Sequence, residues 1–261
     1  MFITRVLTGI IGIPLLLFFV YLGGYIYGLL LVLLAVIGLR EYYTLMEKTG
    51  WGPVPLPGYV FIPLLFYAVY LESISLTALL WVLLFAFFSL LPVFLATRIK
   101  YWESALSFWG IVYVGALSSF LLAIRLLPEG FYLTVIIFAM VWASDITAYL
   151  VGSSLGRIPL AKKVSPKKTV EGTLGGIAGS CAVGLLLASL LPQTVLTVFS
   201  GGLLGILVGG AGALGDLTQS ALKRSVNAKD SGTLFPGHGG VLDRFDSLFF
   251  AAPLFYAYII F

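Results

Sequence analysis

Charge is scarce in this sequence. Asp, Glu, Lys and Arg make up 10% of its 261 residues, against roughly 25% in an average soluble domain. Sixty per cent are hydrophobic and the mean hydropathy is +1.08. No single water-soluble core could hide so much apolar side chain, which excludes an ordinary soluble domain. The one cysteine, Cys181, excludes an internal disulfide and is expected to be a small buried residue. With one histidine as well, His238, no Cys or His cluster is available to select zinc. The net charge of +4 needs no nucleic-acid partner, because positive residues also set membrane topology.

Long apolar runs are abundant. Nine recur along the chain: Val6 to Leu22, Tyr25 to Leu39, Gly58 to Leu71, Ile74 to Thr97, Ala105 to Ile124, Phe131 to Val151, Gly172 to Leu191, Thr194 to Gly215 and Phe245 to Phe261. Each approaches the ~20 residues that cross a bilayer as helix. The first lacks a small-residue cleavage site and is followed by another apolar run, so it is expected to be a retained helix rather than a signal peptide. The expected fold is therefore an all-α polytopic membrane protein. If the amino terminus is cytoplasmic and the runs alternate, every Lys and Arg except Arg125 falls on the cytoplasmic side, and the carboxyl terminus lies outside. This predicts a protein of the cytoplasmic (inner) membrane with its active site facing the cytoplasm.

The polar signals concentrate in the second half. Residues 1–130 hold five runs with few ionisable groups and are expected to be scaffold. Residues 131–261 hold four runs and two lysine-rich cytoplasmic loops, and are expected to be the catalytic region. Asp145, in VWASDITAYLV, lies inside the sixth run, where a carboxylate is costly and by default functional. Asp216 closes the eighth run, where the helix dipole disfavours an acid unless a cation or a lysine stands nearby. Asp243 and Asp246 open the ninth, three residues apart and so on one helical face. Those two fit a shared cation site, and equally fit helix caps. Hard oxygen ligands without Cys or His select Mg2+, which is held by one or two carboxylates plus substrate phosphates, with a second cation an option. The SPKKTVEG loop with Lys167 and Lys168, together with Lys223, Arg224 and Lys229, is suited to holding phosphate oxygens. His238 sits among glycines that let backbone approach a ligand. Gly201, Gly205 and Gly209, four residues apart, are expected to serve close helix packing.

The stretch SALKRSVNAKDSGTLFPGHGGVLDRFD, from Ser220 to Asp246, resembles the signature of the phosphatidate cytidylyltransferase family. Ser220, Lys223, Arg224, Lys229, Asp230, His238, Gly239, Gly240, Asp243, Arg244 and Asp246 all fall in its register. The SDITAY string, the SPKKTVEG loop and Gly215-Asp216 resemble the family too, whereas the first 130 residues match it only in hydropathy. The resemblance implies that CTP and phosphatidic acid react at a divalent metal to give CDP-diacylglycerol and pyrophosphate, for phospholipid biosynthesis. It implies metal ligation by Asp216, Asp243 and Asp246. It implies catalytic roles for Asp145, Lys167, Lys223, Arg224, Lys229, Asp230, His238 and Arg244, and nucleotide contacts from Lys167, Lys168, Lys223, Arg224, Gly239 and Gly240. A homodimer is an expectation of the same kind. Two other readings stand beside it: a CTP-dependent polyprenol or lipid kinase, which would release CDP, and a secondary transporter, which would show paired half-repeats and a midplane site.

Overall fold

A computed structural model describes residues 2–193, 195–234 and 239–261, with the side chains from Gly9 onward. The chain is almost wholly helical: α1 (Phe2–Leu22), α2 (Gly24–Glu47), α3 (Pro55–Tyr70), α4 (Ile74–Phe94), α5 (Tyr101–Leu126), α6 (Gly130–Leu155), α7 (Val170–Leu190), α8 (Val198–Ser225) and α9 (Leu242–Ile260). Each predicted apolar run lies largely within one of these helices; the predicted start at Thr194 falls outside the described residues. Among the described residues α2, α4, α5, α6, α7 and α8 are long and apolar enough to cross a membrane. Of the rest, α1 and α3 supply the shorter apolar stretches Gly9–Leu22 and Pro55–Tyr70, and α9 opens with Asp243, Arg244 and Asp246. On α4 only Leu84 and Phe88 are buried, while Ile74, Phe85, Val93 and Phe94 are exposed. An apolar surface of that extent is stable against lipid and not against water. The protein is an integral membrane protein.

Three helices continue past the apolar runs that marked them. Helix α2 reaches Glu47 rather than Leu39, α6 reaches Leu155 rather than Val151, and α8 reaches Ser225 rather than Gly215. Hydropathy marks the part of a helix that suits lipid, whereas the helix itself ends where its packing and capping end. In α2 the last two turns stay buried at Gly38, Leu39, Glu41, Tyr42, Tyr43, Leu45 and Met46, and the exposed Arg40, Thr44 and Glu47 keep the three-to-four spacing of one helical face. In α8 the last turn carries Lys223 and Arg224, cations that the dipole favours there. One element departs from an all-helical reading. The SPKKT segment forms strand β2 (Ser165–Thr169), antiparallel to β1 (Pro159–Ala161).

The chain divides into two compact units: residues 1–126 with 226–244, and residues 127–225 with 245–261. In the first, α2 locks onto α5 through two tyrosines. Tyr42 and Tyr43 hydroxyls donate to the carbonyls of Leu106 and Ser107, at 3.3 and 3.1 Å. The contact falls beside a π-helical segment of α5, Ile111–Ala116, and Gly110 leaves room for the Tyr42 ring. Arg125 donates from Nε to the Val20 carbonyl at 2.8 Å, and so serves the last turn of α1.

In the second unit, α6, α7 and α8 pack along their lengths through small residues. A Cβ on Gly205 would fall on the backbone of Cys181 and one on Gly209 would lie 2.8 Å from the Ile177 Cα. Gly184 and Gly201 face each other's carbonyls. The glycine spacing thus works as predicted, by bringing backbones together. Cys181 sits half-buried at this seam.

Candidate functional site

The second unit holds a cluster of opposite charges, built first by its hairpin. Thr169 caps α7, its side chain accepting from the Gly172 amide at 3.1 Å. Glu171, in the first turn, accepts the amides of Arg157 and Ile158 at 3.1 and 3.2 Å. These bonds tether both ends of the hairpin to the start of α7. Across its turn, Arg224 Nε donates to the Val164 carbonyl at 3.3 Å, tying the hairpin to the end of α8. Strand alternation then separates the two lysines: Lys167 is exposed and Lys168 points inward.

Lys168 Nζ lies 2.5 Å from Asp216 Oδ2. The ammonium nitrogen is buried, with the Asp216 carboxylate as its ion-pair partner. The nearby lysine that an acid in α8 requires is therefore present. The placement of Asp216 differs from expectation, however. It lies nine residues before Ser225, roughly 14 Å from the helix end, so ion pairing rather than relief of the terminal dipole explains the lysine.

Asp246 is buried, in the second turn of α9. Its Oδ1 accepts from the Ser247 amide at 2.8 Å. Asp216, Asp145 and Lys223 all lie within electrostatic reach of it. Gly215 lets α8 approach this turn closely, since a Cβ there would fall on the Asp246 carbonyl. Asp145 is exposed on α6, ten residues before Leu155, hence roughly 15 Å from the helix end and deeper than the run boundaries implied. Three carboxylates and two lysines from α6, β2, α8 and α9 thus gather in one unit.

The first unit holds a second set of acids, and one of them escaped the sequence reading. Glu41 of α2 is buried and receives three hydrogen bonds: Val241 N to Oε1 at 2.9 Å, Leu242 N to Oε2 at 3.0 Å and Ser231 Oγ to Oε2 at 3.0 Å. Asp243 Oδ2 accepts from Ser231 N at 2.8 Å, Ser231 Oγ at 2.9 Å and Gly240 N at 3.1 Å. Gly239 has φ +80°, and its Cβ position is taken by the Asp243 carboxylate; that of Gly240 is taken by Glu41. These two glycines therefore leave room for two side-chain carboxylates, a use that a glycine pair in sequence does not reveal. Lys229, Asp230 and Arg244 are exposed in this unit, and His238 lies outside the described residues.

The residues fit Mg2+ in a limited sense. Among the described residues no three Asp, Glu, His or Cys side chains converge to hold a metal, so an ion here would take one or two carboxylates and fill its shell with phosphate oxygens and water. The Lys168 ammonium already places a positive charge against Asp216.

Comparison with known proteins identifies the family. The model of the "Cytidylyltransferase family" matches residues 3–261. A phosphatidate cytidylyltransferase of Synechocystis is 35% identical over 98% of this chain and 96% of its own. One of Bacillus subtilis is 34% identical over 97% and 95%. One of Brucella abortus reaches 47% over 50% of this chain and 48% of its own. With a match over nearly the whole length, the chain belongs to the cytidylyltransferase family.

Proposed function

We propose that this protein transfers the cytidylyl group of CTP to phosphatidic acid, in the cytoplasmic membrane and on its cytoplasmic side, as a step of phospholipid biosynthesis. The observation that carries the reading is the buried Asp246 with Asp216, Asp145 and Lys223 around it and Lys168 paired to Asp216. That is a site of alternating sign in a lipid-embedded chain, suited to phosphates on a membrane-bound substrate. The family and its named relatives supply the substrates: CTP reaches the site from the cytosol and phosphatidic acid from the leaflet. The nine-helix topology with the amino terminus inside is part of the same proposal, supported by the one-sided distribution of Lys and Arg.

In the reaction a phosphatidate oxygen attacks the α-phosphorus of CTP. The new bond is P–O–P in CDP-diacylglycerol; the bond that breaks joins the α-phosphorus to the bridging oxygen, and pyrophosphate leaves. A phosphate monoester has its second pKa near ~6, so the attacking oxygen is already ionised and no strong general base is required. The protein's work is alignment and charge neutralisation. Lys168 turns the N–H groups not facing Asp216 to phosphate oxygens, and Lys223 holds a second anionic group beside Asp246. Arg224 keeps the hairpin against α8, and Glu171 keeps the same hairpin on α7. Asp216 and Asp246 are the residues that would hold Mg2+, which when bound neutralises charge on the transferring phosphates. Asp145 orients the cluster from α6. Lys167, exposed, adds a positive field that draws in the nucleotide.

Purified protein in detergent, given CTP, phosphatidic acid and Mg2+, is expected to release pyrophosphate only when both substrates are present. Release of CDP instead would assign γ-phosphoryl transfer, and the absence of either product from folded, metal-supplied protein would overturn the enzymatic reading.

A further inference from the structure

We infer that Glu41, in a helix that otherwise reads as scaffold, is a positioning residue for the reaction: it sets the first turn of α9 and the flanking segments 231–232 and 240–243. The inference rests on the cytidylyltransferase reading for its kinetic consequence but on the geometry of the first unit alone for its structural one.

The first amides of a helix have no partner within the helix and must find one elsewhere. At the start of α9 the partner is a carboxylate some two hundred residues away in sequence. Val241 N and Leu242 N donate to the two different oxygens of Glu41, at 2.9 and 3.0 Å. This fork fixes both the position and the rotation of the first turn, which a single bond would not. The third donor, the Ser231 hydroxyl, also lies 2.9 Å from Asp243 Oδ2, so the two acids share one serine. Gly232 and Gly240 both present their bare Cα to Glu41; a Cβ on either would collide with its carboxylate.

Glu41 is itself held from behind. Tyr42 and Tyr43 lock the α2 rotation onto α5. Gly38, one turn earlier on the same face, lets Leu242 and Val241 approach, a Cβ there lying 3.3 and 3.7 Å from their side chains. A buried acid with every oxygen engaged by loop and helix-start donors, gripped on its own helix by two tyrosines, is far more than hydropathy asks of α2. Helix α9 carries Asp246 one turn beyond the residues that Glu41 holds. Rotation or sliding of the first turn would therefore displace Asp246 along with it.

The test pairs Glu41→Gln, which keeps the shape but replaces an acceptor by a donor facing donors, with Gly240→Ala, which keeps the acid but occupies its place. Hydrogen–deuterium exchange at the Val241 and Leu242 amides and steady-state pyrophosphate release are measured on full-length protein in detergent, with thermal unfolding as the control. Both variants are expected to exchange those two amides faster and to lose about 100-fold in kcat, the effect of a displacement near 1 Å, with KM for CTP changed less than about twofold. Glu41→Asp is expected to recover part of kcat. Unchanged exchange in Glu41→Gln overturns the structural half, whatever the activity. Faster exchange with unchanged kcat, or a loss that tracks the unfolded fraction alone, overturns the positioning role. Wild-type protein that releases no pyrophosphate defeats the functional reading instead and leaves the exchange result to judge Glu41.

Discussion

In the first unit Glu41 accepts from the Val241 and Leu242 amides and Asp243 from the Ser231 and Gly240 amides, with the one Ser231 hydroxyl within reach of both acids. In the second, Asp216 meets the Lys168 ammonium, and Asp246 meets the neighbouring amide of its own helix with two further acids within electrostatic reach. Acids of the first kind have oxygens engaged by donors of the fold itself. In the second kind, Asp246 is buried with Asp216 and Asp145 within electrostatic reach, a like-charge arrangement that costs stability and that a bound cation or substrate relieves. On the proposed function the contrast separates acids that shape the fold from acids that handle substrate, although Asp243 and Asp246 stand only three residues apart.

The largest effect expected is at Asp246. Replacing it with Ala removes the buried acid at the centre of the second set and should lower the rate of pyrophosphate release at least about 100-fold, while thermal unfolding in detergent stays near wild type or rises, because a like-charge conflict is removed. A variant that unfolds at much lower temperature would move Asp246 into the first category and break the distinction.

Lys168 and Asp216 come next and sharpen it. Both are partly exposed, at 26% and 39% of their side-chain surface, and such pairs contribute only about 0–1 kcal/mol to stability. Lys168→Met should therefore cost little in unfolding temperature yet about 10- to 100-fold in kcat/KM. Asp216→Asn is expected to raise the Mg2+ concentration that gives half-maximal activity. Chelation by EDTA should abolish turnover of wild type, restored on adding Mg2+ back.

Asp243→Asn probes the opposite kind. One oxygen that takes three donors becomes, in one orientation, an amide facing them, and the expected cost is about 1–3 kcal/mol of stability, seen as a lowered unfolding temperature. The half-saturating Mg2+ concentration should stay near wild type. A shift as large as that in Asp216→Asn would show that Asp243 ligates metal as well as shaping its loop.

Why the sequence showed one kind of acid better than the other has a physical cause. Asp145, Asp216 and Asp246 stand out because they interrupt or border apolar runs, and a carboxylate in hydrocarbon is conspicuous by its cost. The helices themselves were legible for the same reason, since an apolar run of bilayer length has few other uses. Glu41 follows the run Tyr25 to Leu39 by two residues and so reads as the start of a loop. Only the continued burial spacing of Leu39, Tyr42, Leu45 and Met46 could have shown that the helix goes on and carries the acid inward. Its partners, Ser231, Val241 and Leu242, are backbone and hydroxyl donors distant in sequence, and no local pattern encodes a pairing across that separation. The short hairpin was hidden likewise: SPKKT is a poor strand by composition, and it is held by Glu171 and Arg224 from outside rather than by its own propensity.

The smallest effect expected is at the neighbour of the most informative lysine. Lys167 and Lys168 are indistinguishable as a KK pair in the sequence, yet β2 turns one outward and the other toward Asp216 because successive strand residues face opposite ways. An outward lysine acts only through its field, which salt screens over a Debye length of about 8 Å at physiological ionic strength. Lys167→Ala should thus lower kcat/KM for CTP less than about fivefold at low salt, and the difference from wild type should vanish as salt is raised. The loss in Lys168→Met should persist at every salt concentration, since the ammonium atom itself is buried and a buried charge is poorly screened. A salt-independent loss at Lys167 would mean that it touches the nucleotide directly, and that the hairpin presents both of its faces to substrate.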